Sequence, residues 1–93
     1  MPLPVSITLH EAVEHRIREL SRKNEFSWDR LARASSVPKS TITDYIRGAS
    51  KDMKLQTLAA VSNGFGMTLR EFFDSDVFDI IDVEALLDAS AHP

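Results

Sequence analysis

The chain reads as an all-α domain of five short helices, and three observations predict it. Apolar residues recur at helical spacing in successive segments, helix-capping residues stand in front of several of them, and no stretch alternates convincingly as a strand does. With 93 residues and no cysteine, the chain is one small domain with neither a disulfide framework nor a zinc-finger ligand set.

Residues 1–7 carry Pro2 and Pro4 and are expected to form an extended N-terminal arm. Thr8 followed by Glu11 matches a capping box, in which the hydroxyl accepts an orphan amide and the carboxylate reaches back. Leu9, Val13, Ile17 and Leu20 then mark the apolar face of a first helix ending near Asn24. Ser27 is the next N-cap, opening a short helix over Trp28 to Ala34 that the run Ser35, Ser36, Val37, Pro38 interrupts. A third helix follows from about Pro38 to Arg47, with Gly48 as its left-handed C-cap. Two short helices joined by a tight turn make a helix-turn-helix outline.

The polar segment from Ala49 to Lys54 is a loop. Leu55, Leu58, Ala59, Val61 and Ser62 set out a fourth helix, brought to an end by Gly64 to Gly66, and Thr68 caps a fifth helix from Leu69 to Phe73. From Asp74 the composition changes. The chain carries 11 lysines and arginines against 14 acids, yet every one of those bases and only 8 of the acids precede Asp74. A mildly basic body, 8–73, thus carries an acidic tail, 74–93, so the net charge of -3 does not describe the surface that a partner meets. Within the tail, Val77, Ile80, Ile81 and Leu87 fall near one helical face, and the extension is expected to be helical. No segment has the apolar length to cross a bilayer and no signal sequence follows Met1, so a cytoplasmic location is expected.

The string SWDRLARASSVPKSTITDYIRG, followed by KLQTLAAVSNGFGMTLREFF, resembles the lambda-repressor-like, Cro-type helix-turn-helix domains over about Leu9 to Phe73. Leu31, Ala32, Val37, Ile42, Leu58, Gly66, Leu69 and Phe73 match the small or apolar positions of that pattern. Ser36 stands where the family usually has glycine in the turn, a difference that costs about 1 kcal/mol if the backbone is left-handed there. The acidic tail is not described by the pattern.

The resemblance implies a sequence-specific regulator that binds double-stranded DNA through the major groove, of bacterial or phage type. The expectation is a repressor acting as a homodimer on a palindromic operator. On the third helix, Lys39, Ser40, Thr43 and Asp44 are the candidate base-reading residues. Lysine donates to guanine, serine donates or accepts, the threonine methyl meets a thymine methyl, and a carboxylate accepts from cytosine. Alternatively Asp44 pairs with Lys39, Arg47 or Arg33 and reads nothing. Ser27, Trp28, Arg47, Ser50, Lys51 and Lys54 are the candidate phosphate-contacting residues, the first two through free amides at the start of the second helix. In the tail, Val77, Phe78, Ile80, Ile81, Leu86 and Leu87 either form a dimer or partner surface or fold back on the body.

Two other readings stay open, an antitoxin that holds a toxin through its tail and a helical protein-interaction module that binds no DNA. No nucleophilic set or glycine-rich phosphate loop marks an enzyme, and no cofactor is expected. His10 and Glu14, four apart on one helix, lack the further ligands that a metal needs. Control is expected to come from a regulatory protein partner, from abundance or from proteolysis.

Overall fold

A computed structural model describes residues 6–82. Five α-helices follow in order: α1 Leu9–Asn24, α2 Trp28–Ser35, α3 Lys39–Arg47, α4 Leu55–Gly64 and α5 Leu69–Phe72. A 3-10 helix, Asp76–Ile80, completes the described chain. The five helices begin and end within about one residue of the expected positions.

Local chemistry explains the boundaries. Thr8 and Glu11 form the reciprocal capping box, with the Glu11 amide on Thr8 Oγ1 and the Thr8 amide on Glu11 Oε1, each at 3.1 Å. The same bond from the Thr8 amide holds the Glu11 carboxyl below its ordinary pKa, and the Thr8 hydroxyl adds to the effect. Thr68 and Glu71 repeat the box at α5. Two helices end on a non-glycine residue in the left-handed region, α1 on Glu25 and α2 on Ser36, both with φ 58°.

The helices close around one core formed by Val13, Ile17 and Leu20 of α1, Leu31 of α2, Ile42, Tyr45 and Ile46 of α3, Leu58 and Val61 of α4, and Phe72 of α5. Helix α2 packs against both α3 and α4, so the helix-turn-helix pair is braced from behind. Gly64 makes the α2–α4 approach possible, since a Cβ there would stand 2.9 Å from Ser35 Cβ. It was expected only to end α4, but its position is also set by this contact. Arg16 ties α5 to α1, donating from Nε to the Phe72 carbonyl at 2.7 Å and from Nη2 to the Glu71 carbonyl at 2.9 Å. A guanidinium at the C-terminal end of a helix satisfies orphan carbonyls and opposes the negative end of the helix dipole.

Three expectations are corrected. Phe72 is fully buried, whereas Phe73, taken for the core position, is 38% exposed. The helix is a single turn, so one residue of register decides which ring points inward. Leu9 is likewise 41% exposed, because it begins α1 beyond the edge of the core. The tail does not continue as an α-helix through Ile81. After the 3-10 turn the backbone extends, and Ile81 makes a parallel bridge with Ile7. The Ile7 amide donates to Ile80 O at 2.9 Å and the Asp82 amide donates to Ile7 O at 2.8 Å.

These contacts place the expected tail surface. Val77 is 1% exposed, and Phe78 packs edge-on to Phe73 with centroids 4.8 Å apart. Val77 is thus spent in the chain's own core and Phe78 is partly buried against it, because the 3-10 segment folds back on α1. Ile80 and Ile81 are half-buried, while Leu86 and Leu87 lie outside the described residues. Among the described residues no helix is long and apolar enough to cross a membrane.

Candidate nucleic-acid interface

Helix α3 presents two faces with different compositions. Ile42, Thr43, Tyr45 and Ile46 form its buried side, and Ser40, Thr41, Asp44 and Arg47 form its exposed arc. This division follows from a rotation of about 100° per residue, which carries positions 40, 44 and 47 to one side. The side chains of Ser40, Thr41, Asp44 and Arg47 make no hydrogen bond or ion pair among the described residues. They are positioned by a rigid element and unengaged.

Thr43 does not belong to that arc. It is 9% exposed, and its hydroxyl makes a long 3.4 Å contact to the Ser40 carbonyl. Its methyl is therefore withdrawn from the face where a base edge would lie. Thr41, which the sequence reading passed over, is exposed between Ser40 and Asp44. The signal that could have found it is the helical wheel alone, since Thr41 and Asp44 are three apart.

Lys39 pairs with Asp29 of α2, Nζ to Oδ1 at 3.1 Å, and not with Asp44. Both side chains are more than half exposed, so the pair is weakly held and screened by salt. It links the first turn of α2 to the first turn of α3. Between them the turn is closed by Ser36 in the left-handed conformation, with the Val37 amide donating to the Ala32 carbonyl at 3.2 Å. The serine thus takes the backbone shape for which the position usually holds glycine.

At its other end α3 stops on Gly48, φ 82°, whose amide donates to the Tyr45 carbonyl. The loop beyond is fastened to the helix by the Ser50 amide on the Asp44 carbonyl at 3.1 Å. The Ser50 hydroxyl is used internally, donating to the Asp52 carbonyl. Lys51 and Lys54 are exposed, and the Lys51 ammonium lies over Gly48. Arg47 ends α3 and Lys51 lies beside its C-cap, while Lys54 is the N-cap of α4.

The start of α2 is arranged differently. Ser27 Oγ accepts from the Arg30 amide at 3.1 Å, and Trp28 packs part of its ring on the core. Arg18, Ser21 and Arg22 of α1 line one shallow recess together with Phe26, Ser27 and Trp28. Arg18 and Arg22 are exposed cations that the sequence reading did not assign, although their spacing of four on α1 was legible. The positive end of α2 and two guanidinium groups consequently share one side of the domain.

His10 and Glu14 do not form a metal site with other ligands. His10 Nε2 lies 2.7 Å from the Tyr45 carbonyl, and Glu14 accepts from Arg18 Nε at 2.9 Å. Among the described residues no group of three or more histidine or acidic side chains could hold a metal ion. Burial raises the Tyr45 phenol to about 12, with the Asp52 and Glu14 carboxylates adding to the shift.

A sequence model of the helix-turn-helix family matches residues 16–72, which is more than half of the chain and includes α2, the turn and α3. No curated protein and no solved structure matches the chain.

Proposed function

The chain belongs to the Cro-type helix-turn-helix family of DNA-binding transcriptional regulators, and from that membership we propose a repressor that acts as a homodimer on a palindromic operator. The observation that carries this reading is the outward arc of α3, whose polar side chains are held rigidly and left without partners inside the described chain.

In this reading α3 enters the major groove. Lys39, Ser40, Thr41 and Asp44 meet base edges, with Thr41 taking the thymine contact that burial denies to Thr43. Lys39 must exchange Asp29 for its base, a cheap step because an exposed ion pair is worth about 0–1 kcal/mol. Asp44 accepts from cytosine and penalises sequences that bring another acceptor to that place. Arg47, Lys51 and Lys54 meet phosphates beyond the C-terminal end of α3, while Ser50, whose amide and hydroxyl are bonded within the loop, holds that loop in place. The amides of Ser27 and Trp28, with Arg22 beside them, meet phosphates at the start of α2. Bound in this way, the protein occludes the operator from other DNA-binding proteins, and as a bacterial or phage regulator it works in the cytoplasm.

Selection from random duplexes at low salt tests the proposal. The expected result is an enriched palindrome whose half-sites lie about 34 Å apart along the duplex. No enriched sequence from a folded protein would overturn it.

A further inference from the structure

Helix α3 is held differently at its two ends. Its start is fixed by the tight turn, where the Val37 amide donates to the Ala32 carbonyl at 3.2 Å, and by the Lys39 pair with Asp29 at 3.1 Å. Its last turn is reached from the first turn of α1. His10, 35 residues away in sequence, brings Nε2 to 2.7 Å from the Tyr45 carbonyl. A carbonyl only accepts, so Nε2 carries a proton and donates it. The same imidazole rests against the Tyr45 ring, with centroids 4.4 Å apart and a tilt of 51°. The His10 side chain is 12% exposed and Tyr45 is buried, so the contact is enclosed.

We infer that His10 is a positioning residue for DNA binding, which fixes the C-terminal half of α3 so that Asp44 and Arg47 keep their places on its outward arc. The inference rests on the reading that α3 enters the major groove, and it adds a residue that acts through Tyr45. Ile42, Tyr45 and Ile46 seat α3 by apolar contact, which is not directional and tolerates a small rotation about the helix axis. A hydrogen bond is directional and weakens steeply as its angle closes. Recognition needs side chains held within about 0.5 Å of the productive geometry, so the rotation that His10 removes is of the size that matters. Asp44 directly precedes Tyr45 and Arg47 follows it by two, both exposed.

The residue type fits the role. Leucine or phenylalanine would supply apolar packing alone, and lysine would carry its charge out to water. Imidazole joins a flat face to an N–H donor. Glu14 does not compete for the ring, since it accepts from Arg18 Nε at 2.9 Å and its Oε1 stands 4.0 Å from His10 Nδ1, beyond hydrogen-bond length. The Tyr45 carbonyl also accepts from the Gly48 amide at 3.1 Å, so the bond from His10 meets α3 where its C-cap is made.

The test is competition binding to the duplex enriched by selection, with base preference measured at each position below the melting range of every variant. Lys39→Ala and Asp44→Ala identify the base positions that the two ends of α3 read. H10F keeps a ring against Tyr45 and removes the donor, whereas H10Q returns an N–H near the place of Nε2. H10F is expected to bind about three- to tenfold more weakly and to relax the position that Asp44→Ala relaxes, leaving the Lys39 position as in wild type. H10Q is expected to restore both affinity and preference to within about twofold of wild type. H10L provides the same comparison if H10F fails to fold. An H10F that binds and discriminates as wild type does, or that loses preference equally at both positions, overturns the inference and leaves the reading of α3 standing, as does an H10Q no better than H10F. Asp44→Ala without effect at any base position overturns the reading of Asp44 and this inference together, and Lys39→Ala equally without effect overturns α3 as the reading helix.

Discussion

Replacing Gly64 with alanine tests whether the seat of α3 depends on the close approach of α4 to α2. The added Cβ would stand 2.9 Å from Ser35 Cβ and 3.1 Å from both Ser35 Cα and its amide nitrogen, where ordinary contact begins at 3.4 Å. Two of those atoms are backbone, so no side-chain rotation relieves the clash. Ser35 is itself fastened, its hydroxyl donating to the Leu31 carbonyl at 2.6 Å. Overpacking of this kind costs about 1–3 kcal/mol. Alanine recovers up to about 1 kcal/mol of helix propensity, and less at the last residue of a helix. The net expectation is a loss of about 1 kcal/mol, or roughly 4–8 °C in Tm for a domain of this size. Because Ser36 follows directly in the turn, the displacement reaches α3. Circular-dichroism melts measure the first effect. Operator titration well below the melting range, where the variant is fully folded, measures the second and should show weaker binding. A Tm equal to or above wild type, with unchanged affinity, would refute the reasoning.

Ser36→Gly relieves a left-handed non-glycine backbone and should stabilise the chain by about 0.5–1 kcal/mol in denaturant melts. Lys39→Ala should relax specificity at one base position in competition binding. Lys54→Ala should weaken all sequences alike and reduce the slope of log affinity against log salt by about 1. Tyr45 predicts the alkaline limit. Its folded pKa of about 12 lies above the ordinary 10.0, so the folded state keeps a proton that the unfolded state loses in that window. Stability should be fully present below pH 10.0 and decline from there towards about 12, and Tyr45→Phe should flatten that part of the profile when melts are followed against pH.

Much of the fold was legible because its signals are local. Thr8 with Glu11, Ser27, Gly48 and Thr68 each act on amides or carbonyls within a few residues, and each cap stands where it was expected. The left-handed turn was legible at Ser36 only through the family pattern, since serine does not announce that conformation as glycine does. What escaped depends on contacts between distant segments. Phe72 and Phe73 are adjacent aromatics on a one-turn helix, and only the packing of α5 against the core separates buried from exposed. Thr43 looked suited to a thymine, but its neighbours Ile42 and Ile46 turn that side of α3 inward. Lys39 found Asp29 across the turn, a choice that spacing along one helix cannot show. The tail's apolar pairs satisfied a helical wheel, whereas the hydrogen bonds to Ile7 that shape it come from the opposite end of the chain.

The clasp between Ile7 and Ile81 has a kinetic meaning. Nearly all of the described chain lies between the two bridged residues, so among the described residues it closes the longest loop. The entropy of closing a loop grows with its length, and an isolated bridge has no neighbouring strand to share that cost. The helices, built from near neighbours, can assemble without it. The clasp should therefore form late in folding and open early, and the amides of Ile7 and Asp82 should exchange with solvent through local opening well before those of α1. The same hydrogen bonds join residue 7 of the N-terminal arm to residues 80 and 82 of the acidic tail, so one local opening parts these two segments in a single step.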